Sequence, residues 1–315
     1  MSRFSELKVT GTVLRRFSNS PIMGPGGSSA GAYRRTPPDR ELRLIMEACP
    51  PLHGLACAEL SAPPTIYPSD CPACLAPGTT FLFRKDKYNL VRCADCGLIF
   101  VDPFPTADEI AAHYETNYRG ASAEFYPKAG DRQWRGFIQS LRFLRYATGK
   151  DVLDLGCGGG FMCEAFARIG GRATGIDISQ NSIAYASKHF EQCKFYCESL
   201  ADFRRRGLKF DFVFSAEVLE HLPGPYEFME TLKAVVRPSG FVYLSAPDAG
   251  HSAVPKNIEE WADICPPEHL QFFNLKNLTM VFEQYGFNLH KVFRSKTPAH
   301  SVIFRSKEAY HPCFF

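Results

Sequence analysis

The sequence predicts an α/β fold: a doubly wound, Rossmann-like parallel sheet that finishes in an antiparallel hairpin, preceded by a small unit built on cysteines. Three observations carry that expectation. The apolar run Val152-Leu153-Asp154-Leu155 enters a glycine-rich turn, Gly156 to Gly160, and a second apolar run about 20 residues on ends in Asp177. Strand-length and helix-period segments then alternate from 151 to 245, which implies parallel strands with helices on both faces. Finally, the strand-like runs 288–294 and 301–305 share a short link containing Pro298, and strands joined so closely must be antiparallel.

In chain order, residues 1–60 mix Gly, Pro, Ser and Arg, with Gly24-Pro25-Gly26-Gly27 and Pro37-Pro38 breaking any periodicity, and read as a disordered tail. The Arg and Ser content of that stretch resembles a transit peptide, but it offers no amphipathic helix, so a plain tail is the preferred reading. Residues 66–104 surround four cysteines. Residues 105–149 form a helical connector or lid, in which Trp134, Phe137, Ile138, Leu141 and Leu144 recur at helical spacing as a packing face up to Thr148-Gly149. Residues 150–315 carry the main domain: strands at 151–155, 173–177, 194–197, 210–215 and 241–245, with helices at 158–169, 179–189 and 225–236 between them. Asn274 is the expected N-cap of a last helix that Gly286 stops.

A chain of 315 residues, 45% hydrophobic, can bury a sizeable core, and no apolar run approaches the ~18 residues of a membrane span. Residues 1–60 hold eight basic and five acidic side chains, which leaves 28 of each in the remainder. That balance gives no global electrostatic case for a nucleic-acid partner. With no signal-peptide core at the N-terminus, the expected location is the reducing cytoplasm. Cys157, Cys163, Cys193 and Cys197 read as small core hydrophobes. Oligomeric state is not legible.

Cys71-Pro-Ala-Cys74 and Cys93-Ala-Asp-Cys96 are two CxxC knuckles 18 residues apart, the spacing of a four-cysteine zinc ribbon. Four thiolates close the shell of a tetrahedral Zn2+, so the expected metal is structural. Arg84, Lys85, Lys87, Tyr88 and Arg92 in the ribbon are the one local hint of a nucleic-acid grip.

The glycines at 156, 158 and 160 are spaced GxGxG, and Phe161 stands where a dinucleotide-binding turn would place its third glycine. Asp154 adds an acid beside the turn, suited to a ligand bearing an ammonium and a sulfonium. On these residues the chain resembles the class I S-adenosylmethionine-dependent methyltransferases. The resemblance implies that Gly156, Cys157, Gly158 and Gly160 bring backbone to the methionine part of S-adenosylmethionine, with Asp154 beneath it. It also implies that Asp177 accepts the ribose hydroxyls, that Ile178 packs on adenine, and that Glu198, Ser199 and Leu200 line the adenine edge. Ala216 and Glu217 would then close the cofactor end after the fourth strand.

Ser215-Ala-Glu-Val-Leu-Glu-His-Leu222 lacks the Asn/Asp-Pro-Pro-aromatic clamp of nucleobase amino-methyltransferases and resembles small-molecule enzymes, among them the ubiquinone-pathway O-methyltransferases and sugar-modifying relatives. On a helical turn Glu217, Glu220 and His221 would share one face, able to bind a divalent cation or move a proton. Pro266-Pro-Glu268-His269 precedes an aromatic cluster, and the expected base is His269 assisted by Glu268, with His221 as the substitute. A similar Glu-His pair occurs in sugar C-methyltransferases that also carry an N-terminal four-cysteine zinc unit, whose further C-terminal domain has no counterpart in these residues. The expected reaction moves a methyl group to an oxygen or carbon of a small molecule, possibly a sugar or nucleotide-sugar. A zinc-ribbon protein that modifies or binds RNA, and a cofactor-binding scaffold without turnover, are the other classes.

Overall fold

The computed structural model describes residues 70–117 and 122–307, so the expectation for the first 60 residues lies outside the described part. The cysteine unit comprises β1 (Thr79–Lys85), β2 (Tyr88–Cys93) and β3 (Ile99–Val101), an antiparallel ribbon. Three helices follow: α1 (Ala107–Asn117), α2 (Ala129–Ser140) and, after a tight turn at Leu141–Phe143, α3 (Leu144–Ala147). The main domain then runs β4 (Asp151–Leu155), α4 (Phe161–Arg168), β5 (Arg172–Asp177), α5 (Gln180–His189), β6 (Lys194–Cys197), α6 (Leu200–Arg204), β7 (Phe210–Ala216), α7 (Tyr226–Val235) and β8 (Val236–Pro247). It closes with β9 (Gln271–Phe272), α8 (Leu275–Gln284), β10 (Phe287–Val292) and β11 (Ala299–Ser306).

Seven strands form one sheet in the order β10-β11-β8-β7-β4-β5-β6. Strands β4 to β8 are parallel, and β11, the second arm of the terminal hairpin, joins β8 antiparallel with β10 outside it. This is the Rossmann-like sheet with a C-terminal antiparallel hairpin that the alternating pattern implied. The chain departs from β4 toward β5 on one side and reaches β7 on the other, so a crevice opens between the carboxyl ends of β4 and β7. Both sheet faces are buried. Leu153, Leu155, Val213, Leu232 and Phe304 pack on one side; Phe143, Phe166, Phe212, Phe214 and Tyr243 pack on the other, with the Phe143 and Tyr243 rings 4.7 Å apart.

Three local differences from the sequence reading have physical reasons. Helix α4 begins at Phe161 because Gly158 and Gly160 hold positive φ (49° and 77°), which prolongs the turn. Strand β8 begins at Val236, ahead of a bulge at 237–240 that read as a break. Cys197 is exposed at the end of the edge strand β6 and is no core hydrophobe, while Cys157 and Cys163 are buried.

The larger correction concerns the helix at 129–147. Most of its expected packing face is outward: Trp134 is 63% exposed, Ile138, Leu141 and Leu144 are exposed too, and Phe137 is half-buried. The opposite face, Gly136, Ser140, Phe143 and Ala147, is the buried one. Gly136 lets α2 approach α4 so closely that a Cβ there would sit 3.2 Å from the Phe161 carbonyl oxygen. Small residues allow this contact, and their close approach outweighs the larger apolar stripe.

The ribbon is stitched to the main domain. Strand β3 pairs antiparallel with β9, so the second sheet runs β1-β2-β3-β9. No described helix is long and apolar enough to cross a membrane.

Candidate active site

The turn after β4 can exist only with glycine at its first position. Gly156 has φ 81°, and a Cβ there would lie 2.3 Å from Val218 Cγ2, because the segment leaving β7 crosses directly over the turn. The Gly158 N–H donates to Asp177 Oδ2 at 2.8 Å, and Ser179 N–H donates to Asp177 Oδ1 at 2.8 Å. Burial pushes the Asp177 carboxyl upward while these two donors pull it back. A carboxylate has about four acceptor sites, so both oxygens keep capacity for hydroxyl donors. Beside it, Ile178 is 71% exposed at the strand end.

Asp154 lies below this surface. It is buried against α4, its Oδ2 faces the Cys163 thiol at 3.7 Å, and desolvation pushes its carboxyl up to about 7. The Cys157 side chain also turns inward: a Cβ on Gly175 would lie 2.7 Å from its sulfur, so Cys157 faces the turn through backbone alone. Tyr126 escaped the sequence reading. Its ring packs at 5.2 Å from Phe161 and 5.3 Å from Tyr185, and its hydroxyl lies 3.1 Å from where a Gly158 Cβ would be. A single tyrosine in a loop carries no periodic signal, so only the fold could place it over the glycines.

At the end of β6 the side chains already have partners. Glu198 pairs with Arg206, whose Nε is 2.8 Å from Oε2. Ser199 caps α6, accepting the Asp202 N–H at 3.1 Å and donating to Asp202 Oδ2 at 2.7 Å. Leu200 packs on the core. Any contact of Ser199 with a ligand edge therefore falls to its backbone.

Beyond β7, the Glu217 to His221 segment is not an α-helix. Ala216 ends the strand half-buried, Glu217 takes a left-handed φ of 56°, and Leu219–His221 make a single tight turn. The Glu217 N–H donates to the Ser245 carbonyl at 2.9 Å, and its Oε1 accepts from Ser245 Oγ at 3.0 Å. The turn meets the loop before β9: Leu270 N–H donates to the Glu220 carbonyl at 2.7 Å, and Gln271 Nε2 donates to the Leu219 and Leu222 carbonyls at 2.8 and 3.0 Å. His221 and His269, 48 positions apart in sequence, thereby come together with ring centroids 4.9 Å apart.

His221 Nδ1 lies 2.7 Å from the Glu268 carbonyl oxygen, and His269 Nδ1 lies 2.8 Å from the Asp263 carbonyl oxygen. A carbonyl only accepts, so both Nδ1 atoms carry the hydrogen and Nε2 is the acceptor nitrogen of each ring. Burial and the neighbouring His269 hold His221 below the ordinary histidine range. The Glu268 side chain is exposed, and its contribution here is its carbonyl, spent on His221 and not on His269. Glu220 is buried, and burial together with nearby Glu217 drives its carboxyl well above the ordinary range.

The four cysteines converge as the knuckle spacing requires. Cys71 and Cys96 sulfurs are 3.5 Å apart, as are those of Cys74 and Cys93, and all four lie within 4.8 Å of one another. A tetrahedral Zn2+ with bonds near 2.3 Å has sulfur edges of ~3.8 Å, whereas a disulfide needs ~2.05 Å. The donor set therefore fits zinc: these thiolates would hold it, structurally, with no open position. None of the nine described cysteines is in a disulfide.

A methyltransferase-domain family model matches residues 126–292, just over half the chain. The chain belongs to that family. It is an S-adenosylmethionine-dependent methyltransferase of class I. The Coxiella burnetii (strain Dugway 5J108-111) ubiquinone biosynthesis O-methyltransferase is 31% identical over 201 residues, spanning 59% of this chain and 86% of that one. The enzyme of the same name from Bradyrhizobium sp. (strain ORS 278) is 28% identical over 174 residues, covering 50% of this chain and 68% of its own. A crystal structure of magnesium protoporphyrin IX methyltransferase from Synechocystis PCC 6803 with bound SAH superposes with a TM-score of 0.45 at 16% identity, over 56% of this chain and 83% of that one. The family match spans the methyltransferase's glycine turn, Asp177 and both histidines; the cysteine cluster lies upstream of it.

Proposed function

We propose that this methyltransferase moves the methyl group of S-adenosylmethionine to a hydroxyl oxygen, or an acidic carbon, of a small molecule bound beside His221 and His269. The observation that carries the reading is the paired imidazoles, each fixed in one tautomer by a carbonyl, brought together by the segment that leaves β7 and the loop before β9. The sulfonium already activates the methyl, so the protein aligns nucleophile, carbon and sulfur and accepts the acceptor's proton. His269 is the base of first choice and His221 its substitute. In the same reading Asp177 takes the ribose hydroxyls, Ile178 lies under adenine, the backbone at 156–160 and 198–200 cradles the cofactor, and Ala216 and Glu217 close its methionine end over Asp154. The names of the relatives favour an oxygen acceptor.

A sugar or nucleotide-sugar acceptor is the second reading. It rests on the resemblance of the Glu268-His269 pair, together with the four-cysteine cluster, to sugar C-methyltransferases that carry an N-terminal zinc unit. A panel of phenols, quinols and nucleotide-sugars, assayed for S-adenosylhomocysteine release, separates the two. With the acceptor in hand, His269→Ala should lower kcat by roughly 10²- to 10⁴-fold while cofactor affinity holds. Calorimetry should show Asp177→Ala weakening S-adenosylhomocysteine binding by ~1.5 to 3 kcal/mol. Loss of cofactor binding in His269→Ala, or unchanged binding in Asp177→Ala, overturns these roles.

A further inference from the structure

We propose that Glu220, His221 and His269 form a divalent-cation site at the acceptor end of the crevice, a His-His-carboxylate set with open positions for an acceptor oxygen. The inference rests on the reading of this end as the acceptor site and changes the role of His269 there: with Nδ1–H held by a carbonyl and Nε2 on the ion, His269 is a ligand in place of the base.

Glu220 is the first argument. Its side chain is 1% exposed, and neither carboxylate oxygen has a hydrogen-bond partner among the described residues. Buried carboxylates are ordinarily paired or bound to metal, because an unpartnered one forfeits its hydration without recompense. Here the neighbouring titratable groups include two more acids, Glu217 and Asp263, beside the two histidines. A cation at this point offsets the acids together.

The imidazoles are the second argument. Metal-bound histidine characteristically donates its other ring N–H to a carbonyl or carboxylate, which fixes the tautomer and aims the ligating nitrogen. Both rings have this arrangement, through the carbonyls of Glu268 and Asp263. One ligand atom from each of Glu220, His221 and His269 lies within 4.8 Å of the others. Bonds of ~2.0 to 2.2 Å would draw them closer with small side-chain rotations. The backbones need not move, since the Leu270 and Gln271 hydrogen bonds already lock the two loops together.

The donor set also separates this site from the cysteine cluster. Two imidazoles and a carboxylate suit Mn2+, Fe2+ or Zn2+, and three protein ligands leave places for water or substrate, whereas four thiolates leave none. A bound ion would acidify a coordinated acceptor hydroxyl, whose proton passes to solvent water. The oxygen lone pair then forms the bond to the methyl carbon, and the carbon–sulfur bond breaks with its electron pair remaining on sulfur. The products are the methyl ether and S-adenosylhomocysteine.

The test uses the full chain with its cysteine site zinc-loaded, and Mn2+ as the probe, since thiolates do not favour it. Titration followed by the electron paramagnetic resonance of free Mn2+ should show one ion taken up per chain, with no acceptor present. Glu220→Gln and His221→Asn should each weaken that uptake tenfold or more while S-adenosylhomocysteine binding and zinc content hold. Independently of any variant, MnCl2 should raise the wild-type melting temperature where NaCl of equal ionic strength does not. No stoichiometric uptake by the wild type, or uptake undiminished in Glu220→Gln, overturns the site, and a Glu220 carboxyl sharing its proton with Glu217 would give that result. Turnover that survives complete removal of divalent ions leaves His269 as the base and removes the metal from the reaction. Stoichiometric Mn2+ uptake by the wild type together with full turnover in His269→Ala would instead overturn the acceptor-site reading on which the inference rests.

Discussion

Single residues in this chain owe their properties to what the fold puts beside them. Asp154 sits in an ordinary strand sequence, yet packing beneath α4 leaves it desolvated, and its carboxyl is pushed up to about 7. In the unfolded chain the same group ionises near pH 3.9. Between those two values the native state keeps a proton that the unfolded state has lost, so this group's contribution to stability falls as pH rises from about 4 to about 7 and is level on either side. Asp154→Asn removes that dependence. Thermal melts of the ligand-free proteins should therefore show the variant gaining on the wild type as pH rises through the window. A difference that stays constant with pH would mean that Asp154 is ionised in the fold. Gly156 teaches the same lesson in backbone terms: its left-handed φ and the Val218 methyl make one glycine irreplaceable, while the mechanism that needs it belongs to the segment crossing above.

At the scale of elements, helix α2 shows that hydrophobic periodicity locates a helix more securely than it orients one. The apolar stripe Trp134, Ile138, Leu141 and Leu144 was legible and a helix is there, but the buried face is that of Gly136 and Ser140. Ranking by hydropathy predicts that Trp134→Ala is the damaging change. The packing predicts the reverse. Trp134→Ala should shift unfolding free energy by no more than about 0.5 kcal/mol, as surface substitutions do. Gly136→Leu must force α2 off the Phe161 carbonyl and should cost about 1 to 3 kcal/mol by overpacking. Chemical denaturation of the two variants decides between the faces, and a larger loss in Trp134→Ala would refute the observed one. Strand β9 is the complementary case: two residues long, it has no signal of its own, yet it supplies the fourth strand of the ribbon's sheet from the far end of the chain.

For the whole molecule, the cysteine unit and the loops that carry Glu220, His221 and His269, the proposed acceptor end, form one mechanical system. Strand β3 pairs with β9, Val101 N–H donates to the Leu270 carbonyl at 2.9 Å, and Leu270 N–H in turn donates to the Glu220 carbonyl. On the other side of the cluster, Asn277, part of the capping box of α8, donates from its side chain to the Cys96 carbonyl at 3.3 Å. Toward the cofactor crevice between β4 and β7 the ribbon is joined by apolar packing, with Cys71, Cys93 and Leu98 in one core cluster with Leu155 and Val213, and not by a hydrogen-bond chain of this kind among the described residues. Cys93→Ser should therefore lower the bound zinc and the melting temperature. It should also raise the acceptor KM by a larger factor than the S-adenosylhomocysteine dissociation constant. Equal effects on both ligands, or a full zinc equivalent retained with unchanged melting, would show the ribbon to be independent of the acceptor end.

The sequence by itself determined what depends on near neighbours. The GxGxG turn and Asp177, the alternation of strands and helices, the Asn274 cap and the two CxxC knuckles all lie within about 25 residues of their partners, where residue type and spacing set the geometry. The glycine turn and the carboxylate that accepts its N–H could be read together for that reason. Only the tertiary structure decided which face of α2 is buried, that Tyr126 covers the glycines, that Glu198 and Ser199 are already engaged, and that His221 and His269 meet over a buried Glu220. Each of these depends on contacts between segments distant in sequence, where burial and close packing override local pattern. Histidines 48 positions apart become a pair because one leucine N–H, one glutamine side chain and a two-residue strand hold their loops together.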